Sequence, residues 1–251
     1  MKRLALFLAA ALAIASCAPK TTSVLVLCEN GGHHKPFTDV VLPWLQEVAP
    51  AEHLQITAIQ NTQPVNEKYL ASFDVVLQLD YPPYSWPKEA EDAFVKYVDE
   101  GRGGWIGLHH ASLLGEFDGY PMWPWFSELL GGIRYQDYIA ELSDGLVVLE
   151  KPEHPLFKGL PASFVIPDDE WYTYNRNPRE CPDVEVLAVV DENSYTVDTD
   201  KKMGDHPVIW TNTSKGGRNV YFQFGHSKKL VDNPCFRTLL LNAIHWAGEK
   251  R

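Results

Sequence analysis

The first half of the chain alternates short apolar runs with segments of helical spacing, and this alternation limits the possible folds. Two segments, 37–48 and 87–100, carry apolar residues at the intervals expected of amphipathic helices. The apolar run at 24–28 is typical of a strand buried on both faces, and 74–79 indicates another buried strand. Strand-like alternation at 54–59 and the segment 103–108 predict two more strands. Strands that alternate with helices in this way form parallel sheets with helices on both faces. The pattern predicts an α/β fold with a doubly wound, mostly parallel sheet.

The second half is less regular and predicts extra β excursions on that sheet. Helical spacing over 121–130 predicts one helix, and the apolar stripe over 235–246 predicts a closing helix. Further strands are predicted at 146–149, 184–190, 208–211 and 220–224. Because no linker separates these segments, we expect a single domain over 24–251.

The N-terminal segment has the pattern of an export signal. Lys2 and Arg3 precede an apolar run over 4–15, which is shorter than the ~20 residues that span a bilayer. The run ends in Ile-Ala-Ser-Cys, which resembles the lipobox of bacterial lipoproteins. We therefore expect a signal peptide over 1–16, lipidation of Cys17 and a lipidated tether over 17–23. The predicted location is the cell envelope, facing the periplasm or on the outer membrane, with a lipid anchor as the only membrane contact.

Charge and cysteine content exclude two classes of site. The chain has 33 acidic and 22 basic residues, for a formal net charge of -11, so a basic surface for nucleic acid is not expected. Beyond Cys17 the cysteines are Cys28, Cys181 and Cys235, whose wide spacing gives neither a disulfide framework nor a Cys-x-x-Cys metal pair.

Titratable and polar side chains gather where the predicted strands end. Each of them lies just after an apolar run: His33 and His34, Asp80 and Tyr81, His109 and His110, and His226. In an open doubly wound sheet the ligand crevice forms at the carboxyl ends of the strands. The sequence therefore predicts a histidine-rich crevice at that edge.

Several motifs, taken in order, resemble the ThuA-like family, which is associated with trehalose utilisation. They are Gly31-Gly32-His33, the segment 103–111, Trp123-Pro124-Trp125-Phe126, Asp169-Glu170-Trp171-Tyr172, Gly225-His226 and the segment 242–247. The resemblance covers nearly all of the chain after the signal. It implies a flavodoxin-like fold similar to that of class I glutamine amidotransferases, and an action on a sugar or keto-sugar such as a trehalose-like disaccharide.

The amidotransferase comparison also separates fold from chemistry. That fold presents its nucleophile in a Gly-x-Cys-x-Gly elbow, and here the segment 107–111, Gly-Leu-His-His-Ala, places His109 at the position of the thiol. An amidotransferase-like hydrolase would therefore lack its Cys nucleophile. Cys28 and Ser112 are the other formal nucleophiles considered, and neither has an evident base beside it in sequence.

Two chemistries remain open for the predicted crevice, in which His109, Glu170 and His226 are the expected catalytic residues. His33, His109 and His226, with a carboxylate from Glu170 or Asp80, would suit Zn or a similar divalent ion. Without an ion, histidine and Glu170 would act as a general acid and base on a polyol. In an extended segment Glu170 faces away from Asp169 and Trp171.

The expected ligand is a small carbohydrate. Its predicted contacts are His33, His34, Asp80, Tyr81, His110 and Trp171, the last because aromatic rings stack against sugar faces. The reaction could be of the hydrolase, isomerase or lyase type. The alternative is a non-catalytic carbohydrate-binding accessory protein that uses the same crevice without turnover.

Overall fold

The computed structural model describes residues 20–29, 31–114 and 119–249. The predicted signal peptide and Cys17 lie outside the described residues. The strands are β1 Thr22–Cys28, β2 Leu54–Ile59, β3 Val75–Leu79, β4 Gly104–Leu108, β5 Tyr135–Tyr138, β6 Ser143–Leu149, β7 Ser163–Asp169, β8 Tyr172–Tyr174, β9 Val184–Asp191, β10 Pro207–Asn212 and β11 Asn219–Phe222. The helices are α1 Lys35–Val48, α2 Glu67–Leu70, α3 Lys88–Asp99, α4 Pro124–Leu129 and α5 Pro234–Gly248.

A nine-stranded mixed sheet forms the centre of the fold, in the order β2-β1-β3-β4-β11-β10-β9-β6-β7. The first five strands of that order are parallel to one another. Each of the next four is antiparallel to its neighbour. The predicted doubly wound α/β fold with β excursions in the second half is confirmed.

The sheet is buried on both faces because apolar residues point alternately to two separate cores. Val24 and Val26 of β1 join one core, which also takes in α1 and α5. Leu25 and Leu27 join the other core with residues of α3 and α4. Helix packing is close: a Cβ built on Gly104 of β4 would lie 2.2 Å from the carbonyl oxygen of Ala247 in α5. Glycine at this position therefore lets α5 lie directly on the sheet.

The structure corrects the predicted elements mainly in the second half. The helix expected over 121–130 is confined to α4, and β5, β7 and β8 were not predicted. Strands β5 and β8 pair as a separate two-stranded sheet. Within the described ranges, none of the helices is long and apolar enough to span a bilayer.

Candidate functional site

Four loops meet at one edge of the sheet, and three of them follow the carboxyl ends of parallel strands. A 3-10 turn over Gly32–His34 follows β1, and another over His109–Ser112 follows β4. His226 lies in the loop after β11, and Glu170 lies between β7 and β8. The antiparallel half of the sheet thus supplies a carboxylate to histidines from the parallel half.

These loops surround a crevice of about 580 Å³, referred to below as the crevice. Its residues combine imidazoles and carboxylates with several tyrosines. They are Glu29, Gly32, His33, His34, Tyr84, His110, Leu113, Tyr135, Tyr138, Ala140, Glu170, Tyr172 and His226.

Four side chains at the crevice form what we call the donor cluster: His34, His109, Glu170 and His226. One nitrogen or carboxylate oxygen from each lies within 4.8 Å of the corresponding atoms of the others. Oε2 of Glu170 is 3.2 Å from Nε2 of His109 and 3.6 Å from Nδ1 of His226. This is a compact set of three imidazoles and one carboxylate.

The tautomer of neutral His109 is set by the backbone beneath it. Nδ1 of His109 lies 2.8 Å from the carbonyl oxygen of Gln223, and because a carbonyl only accepts, Nδ1 carries the proton. The ring also stacks on Tyr172, with centroids 4.2 Å apart. In neutral His109, Nε2 therefore points a lone pair at the Glu170 carboxylate. Two acceptors at this distance require a proton or a cation between them.

The electrostatics of the cluster favour neutral His34 and ionised Glu170. Burial lowers the pKa of His34 to about 3, which keeps its imidazole neutral. Burial would raise the pKa of Glu170, but the adjacent imidazoles of His109 and His226 hold that pKa well below its usual range. Both ring nitrogens of His34 and Nδ1 of His226 are buried and have no hydrogen-bond partner among the described residues. Unpartnered buried nitrogens beside a carboxylate are donors available to an ion.

Glu29 connects the donor cluster to His110. Its Oε2 lies 2.5 Å from Nδ1 of His110 and 3.1 Å from Nδ1 of His34. Burial works against ionisation, yet the contacts with the two histidines lower the pKa of Glu29 to about 2. Sequence reasoning missed Glu29, although its position directly after the apolar run 24–28 was a usable signal.

The predicted metal set needs one correction. His33 lines the crevice but is exposed and belongs to neither group of donors, whereas His34 is buried among the other imidazoles. Its ring centroid is 5.0 Å from that of His109 and 4.9 Å from that of His226. His34 therefore takes the place that the sequence analysis gave to His33.

The predicted substrate contacts are only partly brought together. His33, His34 and His110 line the crevice, but Asp80 and Tyr81 do not. Asp80 is completely buried, and within the described part of the chain neither of its carboxylate oxygens has a hydrogen-bond partner. Tyr81 packs against Trp86, with ring centroids 6.1 Å apart. The prediction that Asp80 contacts the ligand directly is therefore wrong.

The predicted contact between Trp171 and the sugar is also wrong, and the orientation of Glu170 explains why. Asp169 is fully buried, Glu170 is half-buried at the crevice, and Trp171 is fully buried again, so the expected alternation is present. Nε1 of Trp171 donates to the carbonyl oxygen of Ser143, and the ring fills the space over Gly145. Because Glu170 faces the crevice, Trp171 faces the core and cannot stack on a sugar.

Tyrosines replace tryptophan as the aromatic surface of the crevice. Tyr135 and Tyr138 come from β5 and Tyr172 from β8, so the two-stranded sheet forms one wall. Tyr84 lies in the crevice lining and stacks on Tyr120, with centroids 4.6 Å apart. This wall was missed because Tyr135 and Tyr138 lie in no motif and follow no predicted strand.

Neither formal nucleophile is activated. Burial raises the pKa of Cys28 to about 12, which keeps the thiol protonated. The hydroxyl of Ser112 donates to the carbonyl oxygen of His109 and contacts the hydroxyls of Tyr174 and Tyr221. The turn that presents a nucleophile in amidotransferases here holds His109 in a left-handed backbone conformation, with φ of 38°.

Comparison with known proteins identifies the family. The family model named ThuA, described as trehalose utilisation, matches residues 23–247. The chain belongs to the ThuA family. Comparison with curated proteins gives no match.

Solved structures agree with the ThuA assignment. A ThuA-like protein from Bacteroides uniformis is 27% identical, with 95% of each chain covered and a TM-score of 0.81. A ThuA-like protein from Parabacteroides merdae is 19% identical, with 91% of this chain and 90% of that chain covered and a TM-score of 0.68. The glutaminase domain of Trypanosoma brucei CTPS, solved with bound acivicin, is 11% identical, with 92% and 98% covered and a TM-score of 0.52. The last similarity shows a shared fold.

Proposed function

We propose that this ThuA family protein binds a divalent cation, Zn by preference, in the donor cluster and acts on a sugar or keto-sugar in the crevice. The observation that carries this proposal is the convergence of His34, His109, Glu170 and His226 at the crevice, with donor atoms within 4.8 Å of one another. The description of the family, trehalose utilisation, supports a carbohydrate substrate.

The donor cluster suits such an ion in three respects. Neutral imidazoles with a carboxylate are ligands that Zn prefers. Nδ1 of His109 is bonded to a carbonyl, which is the usual outer contact of a ligating histidine and leaves Nε2 free. The unpartnered nitrogens of His34 and His226 would also gain a partner. A bound divalent ion would supply Lewis acidity for activating water or polarising a sugar carbonyl.

The residues around the cluster would orient the sugar. His33 and His110 offer ring nitrogens along the crevice, and Tyr84, Tyr135 and Tyr138 offer aromatic surface. Imidazoles exchange protons near neutral pH, so a histidine that is not a ligand can move a proton to or from a sugar hydroxyl. These roles are compatible with hydrolase, isomerase or lyase chemistry.

The proposed location rests on the sequence before the described residues. Lys2, Arg3, the apolar run over 4–15 and the lipobox-like junction at Cys17 support export and lipid anchoring. The protein would then work in the cell envelope on small carbohydrates, attached to the membrane through its lipid alone.

The test combines metal analysis of the purified protein with a thermal-shift screen over disaccharides and 3-keto sugars. We expect one Zn per chain, a sugar-dependent rise in melting temperature and turnover of the stabilising sugar. Glu170→Gln should lose Zn and turnover. The matched control is Asp168→Asn, whose carboxylate instead pairs with Lys229 at 2.8 Å. If Glu170→Gln keeps the metal and the turnover of the native protein, the proposal is wrong.

The same screen separates the non-catalytic alternative. The exposed tyrosine wall supports this alternative, because such surfaces also serve carbohydrate-binding proteins. Zn and sugar binding without turnover of any sugar in the screen would favour an accessory binding protein over an enzyme.

A further inference from the structure

Glu29 and His110 lie beside the donor cluster, and the proposed function assigns no role to the carboxylate. Glu29 follows β1 directly, and His110 follows His109 in the turn after β4. The Glu29 oxygen that approaches Nδ1 of His110 at 2.5 Å also approaches Nδ1 of His34 at 3.1 Å. One oxygen thus contacts a member of the donor cluster and a histidine outside it.

The chemistry of the contact orients both rings. An ionised carboxylate only accepts hydrogen bonds, so a ring nitrogen that bonds to it must carry the proton. For His110 this places the proton on Nδ1 and leaves the lone pair of the neutral ring on Nε2. Nδ1 of His34 is close enough to Glu29 but is not aligned for a hydrogen bond. A small rotation of the His34 ring would align the N–H and leave its Nε2 for an ion.

The backbone around Glu29 keeps the carboxylate in place. Gly32 has φ of 64°, a conformation that favours glycine, and a Cβ built there would lie 3.4 Å from Oε1 of Glu29. The rings of His34 and His110 are packed together, with centroids 4.3 Å apart. The carboxylate is therefore held between the turn after β1 and the two rings that it contacts.

We propose that Glu29 is a positioning residue shared by two histidines of different function: it orients His34 as a ligand of the ion and His110 as a contact of the sugar. Ligating histidines commonly donate their second N–H to a carboxylate, and loss of that partner weakens metal binding by roughly 10–100-fold. Only the role of His34 as a ligand, and that of His110 at the sugar, rest on the proposed function. The contacts of both rings with Glu29 do not.

The first experiment uses the ion-free protein. Imidazole-selective nitrogen and proton NMR reports which ring nitrogen carries the proton. We expect Nδ1–H signals for His34 and His110, and the loss or exchange broadening of both in Glu29→Ala. Glu29→Gln keeps the shape of the side chain and provides a second variant if the alanine form does not fold. Unchanged Nδ1–H signals in a folded Glu29 variant would overturn the proposal.

The second experiment measures the consequences by zinc titration and sugar affinity. Glu29→Ala should bind Zn roughly 10–100-fold more weakly and should also lose affinity for the sugar. His110→Asn should lose sugar affinity while keeping Zn affinity. Glu52→Ala is the matched control, because Glu52 forms a similar pair with His245, 3.2 Å apart, and neither residue lines the crevice.

Two results would contradict the assignment of Glu29, and a third would contradict only the proposed function. Native Zn and sugar affinity in Glu29→Ala would mean that Glu29 orients neither ring. Two Zn per native chain and one per Glu29→Ala chain would make Glu29 a ligand of a second ion with His34 and His110, a donor group that also lies within 4.8 Å. Absence of Zn from the native protein would remove the ion from the proposed function, and the NMR result would still decide whether Glu29 orients the rings.

Discussion

Asp169 and Glu170 are chemically similar neighbours with opposite environments. Oδ1 of Asp169 accepts backbone N–H groups from Glu170 at 2.8 Å, Gly225 at 3.3 Å and His226 at 3.2 Å. Glu170 instead faces the histidines of the crevice. The buried carboxylate therefore connects the loop that carries His226 to the end of β7, while the other carboxylate is available for chemistry.

We expect Asp169→Asn to reduce stability and Glu170→Gln to reduce function. Asparagine keeps one oxygen for the N–H groups on Oδ1, but its amide nitrogen would face the Ser227 N–H that Oδ2 accepts at 3.5 Å. Leaving a buried donor unsatisfied costs about 1–3 kcal/mol. Denaturant unfolding measures the first effect, and Zn affinity of the folded protein measures the second. Equal losses of stability in the two variants would contradict the division of roles.

Asp80 gives a prediction about pH. Burial, together with the charges of Glu29, Asp169 and Glu170, raises the pKa of Asp80 well above its usual range. The folded state then holds a proton that the unfolded state releases above about pH 4. The stability that this proton contributes is present below that pH and declines as pH rises toward the folded pKa. Asp80→Asn removes the ionisable group and should therefore weaken this decline.

The measurement is the free energy of unfolding of the native protein and Asp80→Asn between pH 4 and pH 8. We expect the variant to gain stability relative to the native protein as pH rises. Asp74→Asn is the control, because the stability contribution of Asp74 changes only below this pH range. The pKa of Asp74 is lowered, because hydrogen bonds from Ser23 and Lys20 outweigh its burial, so its contribution is present above the unfolded pKa and lost as pH falls. A parallel pH dependence in the native protein and Asp80→Asn would show that Asp80 does not titrate differently on folding.

At the level of elements, the sequence predicted the parallel half of the sheet far better than the crevice wall. Strands β1 and β3 consist mostly of apolar residues, and this composition predicts that they are buried. Strand β5 is Tyr-Gln-Asp-Tyr and pairs with β8, which lies more than 30 residues further along the chain. Its side chains are not apolar enough to indicate a strand, and pairing between distant segments leaves no local pattern.

The choice between His33 and His34 shows a related limit. The two residues lie in a 3-10 turn, where side chains do not alternate between two faces as they do in a strand. For Glu170 the segment is extended, and alternation did predict that it faces away from Asp169 and Trp171. Local geometry therefore decides whether the sequence can tell which of two neighbours faces a site.

The tyrosine wall predicts a separable contribution of β5 to sugar binding. Tyr138 is 39% exposed and Tyr120 is 43% exposed, which places large aromatic surfaces near the mouth of the crevice. Such exposed apolar patches commonly mark binding sites. We expect Tyr138→Ala to weaken sugar affinity several-fold, while Zn affinity and the free energy of unfolding stay near native values.

The control for Tyr138 is Val165→Ala, because Val165 is 46% exposed on β7 and does not line the crevice. Isothermal titration with a disaccharide and with its constituent monosaccharide would compare the two variants. Native sugar affinity in Tyr138→Ala would contradict a role for the wall. A similar loss in Val165→Ala would mean that the effect is not specific to the crevice.

At the scale of the whole molecule, the fold is the one that the sequence motifs predicted. The chemistry of the site, however, does not follow from the fold. The family model covers residues 23–247, and the glutaminase domain of CTPS shares the architecture. In this chain the elbow after β4 carries His109 and the antiparallel half supplies Glu170. A fold thus allows a prediction of where a site lies, whereas the side chains that meet there determine which chemistry is available.

Attachment to the membrane is the prediction that concerns the chain as a whole. The thiol of Cys17 is the group that a lipobox presents for lipidation, and the described helices provide no membrane span. The full chain, expressed in a bacterial host with labelled fatty acid, should incorporate the label and fractionate with membranes. Cys17→Ala should take up no label and leave the membrane fraction, while Cys28→Ala should still be lipidated because Cys28 is buried in β1.

Since Cys17→Ala keeps residues 24–251, its Zn content and melting temperature should match those of the native protein. Label in Cys17→Ala, or membrane attachment without label, would refute the lipobox interpretation and leave the crevice assignment to its own tests.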